Sequence, residues 1–176
     1  MDLRHEAMLM LEKKGSVLDV ARDVSRLLRE TGVNGAVIGG IAVVLHGYVR
    51  TTRDVDILLA KPLEGFAHAL EDAGATFDRA ENQHVLSGIP VHLVPHDIAG
   101  GPRDDTIEID GILTVSLPDL INMKLRSGLG NLARAQDIAD VVGLIRERRL
   151  TATFAAKIDK PLRAEFRKLV RAVRSS

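Results

Sequence analysis

The stretch Ala36 to Leu59, AVIGGIAVVLHGYVRTTRDVDILL, decides the fold. It opens on an apolar run over residues 36–38 and breaks at Gly39-Gly40. It resumes as a short apolar helix over 41–46, crosses a polar turn at 47–53, and ends on a second apolar strand over 55–59. Asp54 and Asp56 lie two residues apart at the entrance to that strand, and side chains two apart on a strand share a face. Val55, Ile57 and Leu59 then point the other way, into a core. Two carboxylates side by side on an open face repel each other and strengthen no fold. The usual group that makes such a pair favourable is a divalent cation. Gly39-Gly40 presents backbone N–H groups with no Cβ in the way, at a helix start where a phosphate can approach. A phosphate turn close to a metal-binding acid pair points to phosphoryl or nucleotidyl transfer.

Gly39-Gly40, then His46-Gly47, then Arg50-x-Thr52-x-Asp54-x-Asp56, taken in this order on strand–turn–helix–strand, resembles the polymerase-β-like nucleotidyltransferase superfamily. The pattern looks most like its minimal bacterial branch, which includes the nucleotidyltransferase toxins of abortive-infection toxin–antitoxin systems. The resemblance implies an α/β (α+β) fold, a nucleotidyltransferase core with a mixed sheet flanked by helices. Residues 1–115 would form that core with its N-terminal helices, and 116–176 a C-terminal helical segment packed on it. It implies transfer of a nucleotide from an NTP to a hydroxyl with Mg²⁺ or Mn²⁺, Asp54 and Asp56 holding metal and serving catalysis. Gly39 and Gly40 match the phosphate turn. Lys124, followed by Arg134-x-x-Asp137-x-x-Asp140, matches a lysine that reaches the nucleotide phosphates. A salt bridge between Lys124 and Asp137 is the plainer alternative.

The family's third carboxylate sits on a later strand between apolar residues. The matching stretch is Val91-His92-Leu93, so His92 occupies the aspartate position. Imidazole is a poor Mg²⁺ ligand and suits softer metals. Three readings follow: His92 as the general base that takes the hydroxyl proton, His92 as a ligand to Mn²⁺ or another transition metal, or loss of a metal site and weak catalysis. Asp97, beyond Pro95, reads as a loop residue and a poor substitute; Glu108 or Asp110 on a neighbouring strand would be other sources of the missing charge. Arg50 and Thr52 flank the acid pair. A guanidinium fork matches phosphate oxygens, which places both residues at the nucleotide. Arg50 could equally neutralise Asp54 and Asp56. His46, at a helix end, reads as a capping group.

The chain has 176 residues, enough for one domain, or for one domain with a small helical appendage. Apolar residues make up 45% and aromatics 3%, so the core is built from Ala, Val, Leu and Ile. The absence of cysteine excludes disulfides and thiolate metal sites. The charged N-terminus does not read as a signal peptide, and no apolar run is long enough to cross a membrane, so the expected location is cytoplasmic. The zero net charge hides a split: residues 1–123 hold 11 Lys and Arg against 19 Asp and Glu, residues 124–176 hold 13 against 5. Such a split means a surface for a polyanion, one half docking on the other, or solvation alone.

Outside the central stretch, the periodicity predicts helices over 3–13, 16–29, from Pro62 to Gly74, 116–126, 133–148 and 164–173. Ser16 with Asp19 and Ser116 with Asp119 form capping boxes. One strand is expected within 76–86, one over 89–94, and short ones over 106–109 and 112–115, with a polar loop at 95–105 between them. Arg163, Arg167, Arg171 and Arg174 form a basic stripe on the last helix, an RNA footprint or a solvated face. The sequence therefore reads as a metal-dependent nucleotidyltransferase acting on RNA, a protein or a small molecule, one form of it a toxin with an antitoxin partner. Its rivals are a catalytically degraded nucleotide-binding relative and a protein-interaction module of a toxin–antitoxin system.

Overall fold

The central stretch folds as read, and the rest of the chain builds outward from it. The computed structural model describes residues 17–60, 62–99 and 106–175. The helix expected over 3–13 and the Ser16 cap lie outside these. Helix α1 (Val17–Thr31) leads into β1 (Gly35–Ile38), α2 (Gly39–Leu45), β2 (Val55–Leu59) and α3 (Glu64–Asp72). Strands β3 (Thr76–Asp78), β4 (Gln83–Leu86) and β5 (Ile89–Pro95) follow, then a short α4 (His96–Ala99), β6 (Ile107–Ile109) and β7 (Ile112–Thr114). Helices α5 (Leu117–Gly130), α6 (Ala135–Glu147) and α7 (Arg163–Arg174) complete the chain, with short 3₁₀ turns between them.

The strands form one seven-stranded sheet in the order β3-β4-β5-β2-β1-β7-β6. β1 runs antiparallel to β2 but parallel to β7, and β2 runs parallel to β5. The sheet is therefore mixed. Its central strands are covered on both faces, which is why they are mostly apolar, broken by Asp56 and His92 where the site opens. Val37, Ile57, Leu59 and Val91 face the apolar stripe of α1 together with Phe66 and Leu70 of α3. Ala36, Ile38 and Leu58 face the other way, onto Leu120, Ile121 and Leu125 of α5 and Val141 and Leu144 of α6. Helix α2 lies between the two layers. Ile41, Val44 and Leu45 join the first core, Ala42 and Val43 the second, so the helix is apolar all round.

Turn chemistry sets the edges of the sheet. Ser87-Gly88 and Asp110-Gly111 are two-residue hairpin loops with both residues at positive φ, the geometry whose twist matches paired strands. The segment 76–86 forms two strands where the sequence predicts one. Asp78 Oδ1 accepts from the N–H groups of Ala80 at 2.9 Å and Glu81 at 3.3 Å, Asn82 takes a positive φ, and the chain reverses.

Two helical glycines, Gly128 at a predicted helix break and Gly143 within a predicted helix, are packing sites. α5 continues through Gly128 to Gly130, because a Cβ at Gly128 would sit 2.7 Å from Ile138 of α6: the bare backbone lets the helices approach closely. Gly143 of α6 likewise lies against the Tyr48 ring. The predicted start at 133 is a 3₁₀ turn, Leu132–Arg134, which Asn131 caps by accepting from Ala133 N–H at 2.9 Å. The second capping box forms as expected, with Ser116 Oγ accepting from Asp119 N–H. Among the described residues no helix is long and apolar enough to cross a membrane. The contact between the two halves of the chain is mainly apolar, and the ion pair Arg50–Asp140 crosses it with the signs opposite to the net split.

Candidate active site

The site begins at the ends of three central strands. Because β1 and β2 are antiparallel, with Ile38 opposite Asp56, the exit of β1 into Gly39-Gly40 lies beside the entrance of β2. Because β2 and β5 are parallel, with Asp56 opposite His92, the imidazole projects next to the acid pair. Asp54, Asp56 and His92, all partly buried, each offer a ligand atom within 4.8 Å of the others. His92 Nδ1 is 2.9 Å from Asp56 Oδ1 and 3.9 Å from Asp54 Oδ2. The three residues predicted for the reaction centre are thus together. Two carboxylates and an imidazole form a donor set that fits a divalent cation.

The neighbours of this cluster explain its shape. Gly39 has φ +66°, and a Cβ there would strike the Asp56 carboxylate. The glycine is required by the fold of the acid pair itself, since the left-handed region is costly for other residues. A Cβ at Gly40 would meet Thr52 Oγ1 at 2.5 Å and Arg50 Nη2 at 2.9 Å. Thr52 Oγ1 donates to Asp54 Oδ1 at 3.2 Å. His92 Nε2 lies 2.9 Å from Gln83 Oε1, on β4. A carbonyl oxygen only accepts, so Nε2 carries the proton. Nδ1 and Asp56 Oδ1, 2.9 Å apart, are joined by a proton between them or by a cation that both ligate.

A cleft of about 800 Å³ opens over this floor. Its opposite wall comes from the helices and carries Lys124, Arg126 and Arg134. Lys124 is buried and sits between two carboxylates, 2.6 Å from Asp137 Oδ1 and 2.8 Å from Asp140 Oδ2. The inter-helix salt bridge read as the plainer alternative therefore forms, while Lys124 still lines the cleft. Burial alone would push the Asp137 carboxyl up, but hydrogen bonds from Lys124, Ser127 and Arg134 and the Lys124 charge outweigh it and hold it below its ordinary value. Arg50 does not neutralise the acid pair: its Nε lies 2.9 Å from Asp140 Oδ1, and Nη1 donates to Thr51 O at 2.9 Å. Its guanidinium still lines the cleft.

Other sequence expectations need correction. Glu108 and Asp110 do not compensate for His92. They belong to the β6–β7 hairpin, separated from β2 by β1 and β7, and Glu108 pairs with Arg29 at 3.2 Å. Asp97 is on α4 rather than in a loop and lines the cleft, outside the Asp54–Asp56–His92 cluster. His46 ends α2, and its Nε2 lies 2.9 Å from the carbonyl oxygen of Val115, tying that helix to the start of α5. Arg163 of the basic stripe donates to the carbonyls of Ile158 and Ala156 and is spent on the fold. Gln83 escaped the sequence reading altogether. Nothing in its local pattern marks it, since only the β4–β5 register brings it to His92.

No family model and no curated protein matches the chain. Solved structures do. The chain is similar to an antigenic nucleotidyltransferase-like protein from Paracoccidioides brasiliensis, at 17% identity over 88% of this chain and 87% of that one, with a TM-score of 0.56. It is also similar to ANT(2")-Ia in complex with adenylyl-2"-tobramycin, at 15% identity over 97% and 98% of the two chains, with a TM-score of 0.55. A solution structure of ANT(2'')-Ia, described as an antibiotic-resistance factor, gives the same TM-score at 16% identity. At these identities the likeness is one of fold: the chain has the architecture of the nucleotidyltransferase-like proteins.

Proposed function

We propose that this protein is a divalent-metal-dependent nucleotidyltransferase that moves a nucleotide from an NTP to a hydroxyl acceptor. The observation that carries the reading is the convergence of Asp54, Asp56 and His92 on the floor of a cleft whose opposite wall carries Lys124, Arg126 and Arg134, each paired with a carboxylate, in this fold. The acid pair would hold the cation, which, when bound, neutralises phosphate charge and polarises the phosphoryl oxygens. Lys124, with Arg126 and Arg134 along the same wall, would face the triphosphate, and Gly39, Gly40, Arg50 and Thr52 would line its approach. In the reaction the acceptor oxygen bonds to the α-phosphorus as the bond to the β-phosphate oxygen breaks. Pyrophosphate leaves, and the hydroxyl proton passes to a cleft carboxylate or to water.

His92 is a poorer fit to general base than to holding a cation. Its Nε2 faces Gln83 and its Nδ1 faces Asp56, so the nitrogen turned into the site points at the acid pair, where the cation would sit. The likeness to ANT(2")-Ia spans nearly the whole chain and puts small-molecule hydroxyls among the acceptors to be tried. The resemblance to the toxin branch adds RNA, proteins and an antitoxin partner. The test is incubation of the protein with labelled NTPs, Mg²⁺ or Mn²⁺, and a panel of cell RNA, protein and aminoglycoside acceptors, beside calorimetry of NTP binding. The wild-type protein is expected to bind NTP only with the metal and to label an acceptor. Asp54→Asn with Asp56→Asn should abolish both while the empty protein is equally or more stable, because like charges are relieved. Unchanged metal-NTP affinity in the double variant would sink the assignment.

A further inference from the structure

We propose that His92, held in place by Gln83, is a third protein ligand to the cation of the acid pair, and that its nitrogen makes the site select first-row transition ions such as Mn²⁺, Co²⁺ or Zn²⁺ over Mg²⁺. The proposal rests on the functional reading above and deepens it by naming the metal class. Its ground is the direction in which the ring is turned. Nε2 is turned to Gln83 Oε1, 2.9 Å away, so Nδ1 is the ring nitrogen aimed at the carboxylates and placed to ligate an ion there. Ligand atoms about 2.1 Å from one ion lie about 3 Å apart when adjacent and about 4 Å when opposite. The separations of Nδ1 from Asp56 Oδ1 and Asp54 Oδ2, 2.9 and 3.9 Å, fall in that range.

Gln83 is then a positioning residue. It sits on β4 beyond β5, out of reach of the acid pair's own strand, and its carbonyl does for His92 what a hydrogen-bond acceptor commonly does for a metal-bound imidazole: it fixes tautomer and ring orientation. A site of carboxylates alone suits Mg²⁺, which takes hard oxygen ligands. Exchanging one oxygen for an imidazole nitrogen lowers Mg²⁺ affinity and raises that of the later metals.

The experiment needs no turnover. Pulsed electron paramagnetic resonance of Mn²⁺ bound to the full chain should show ¹⁴N coupling from a coordinated imidazole, absent in His92→Asp. Titrations with MnCl₂ and MgCl₂ should show a wild-type preference for Mn²⁺ that falls by about an order of magnitude in His92→Asp. Gln83→Leu should lower Mn²⁺ affinity by about 10–100-fold and weaken the nitrogen coupling, while Gln83→Glu, which still accepts from Nε2, keeps both. Wild-type Mn²⁺ spectra without nitrogen coupling, or an equal Mn²⁺-to-Mg²⁺ ratio in wild type and His92→Asp, overturn the proposal; the spectra need no variant to fold. Unchanged binding in Gln83→Leu removes Gln83 from it. Binding of both ions through oxygens alone defeats this inference and leaves nucleotidyl transfer standing, whereas failure to bind either ion, with or without ATP, defeats both.

Discussion

At the scale of single residues, Gly39 and Gly32 form a natural control pair. Both are in the left-handed region, at φ +66° and +64°, but a Cβ at Gly39 would strike the Asp56 carboxylate whereas one at Gly32 meets nothing within 4 Å. Gly32→Ala should therefore cost only backbone strain, about 1–2 kcal/mol. Gly39→Ala should cost that and more, and should also weaken divalent-metal binding by displacing Asp56. Urea denaturation beside a Mn²⁺ titration checks this; equal losses in the two variants, with metal binding intact, would make Gly39 merely a turn residue. The residue scale is also where the sequence reading was strongest. Asp54 and Asp56 stand out by their i, i+2 spacing, a local property of a strand, and His92 by the family resemblance, which puts it where a third carboxylate is expected. Gln83 does not, because its role depends on which residue faces it two strands from the acid pair.

At the scale of elements, the α5–α6 pair is held by a close glycine contact and by charge. Gly128 brings the helices together, and Lys124, Asp137 and Arg134 pair across the resulting wall. The folded Asp137 carboxyl lies below its ordinary value of 3.8, so the unfolded chain binds its proton first as pH falls. Its stabilisation is fully present above that ordinary value and is lost as pH drops through the lower, folded one. Asp137→Asn should accordingly destabilise the protein at neutral pH, with the gap to wild type closing progressively below about pH 5. Urea unfolding at a series of pH values reads this directly. A gap that stays constant down to pH 3 would show that the network acts through packing instead of charge. Sequence periodicity located both helices but ended α5 too early, because a glycine reads as a breaker unless the partner that fills its space is known.

At the scale of the whole molecule, Asp140 adds a buried charge link to the mainly apolar contact between the two halves of the chain. Its side chain is fully buried and faces two cations, Arg50 from the turn before β2 and Lys124 from α5. Removing one partner of a buried ion pair strands the other, at a cost of about 3–5 kcal/mol. Asp140→Ala should fall in that range by chemical denaturation, and Asp140→Leu combined with Lys124→Met should recover part of the loss. A cost under about 1 kcal/mol, typical of a surface pair, would show that the network is hydrated and adds nothing to the apolar contact. The same network fixes where Lys124 and Arg50 sit over the cleft, so stability and site geometry are linked through one carboxylate.

The sequence by itself determined the central strand–helix–strand unit, the acid pair and its place at a strand entrance, the departure at His92, and most of the helices. Apart from His92, which stands out only against the family pattern, these follow from side-chain periodicity, turn residues and spacing, all of which act over a few residues. Only the tertiary structure decided that 76–86 makes two strands, that Arg50 pairs with Asp140 and not with the acid pair, that Glu108 lies on the far edge of the sheet, and that Gln83 reaches His92. Each of those depends on strand order and register or on the approach of one helix to another. Such contacts are set by how the two cores pack on either face of the sheet, and no local pattern in the chain encodes them.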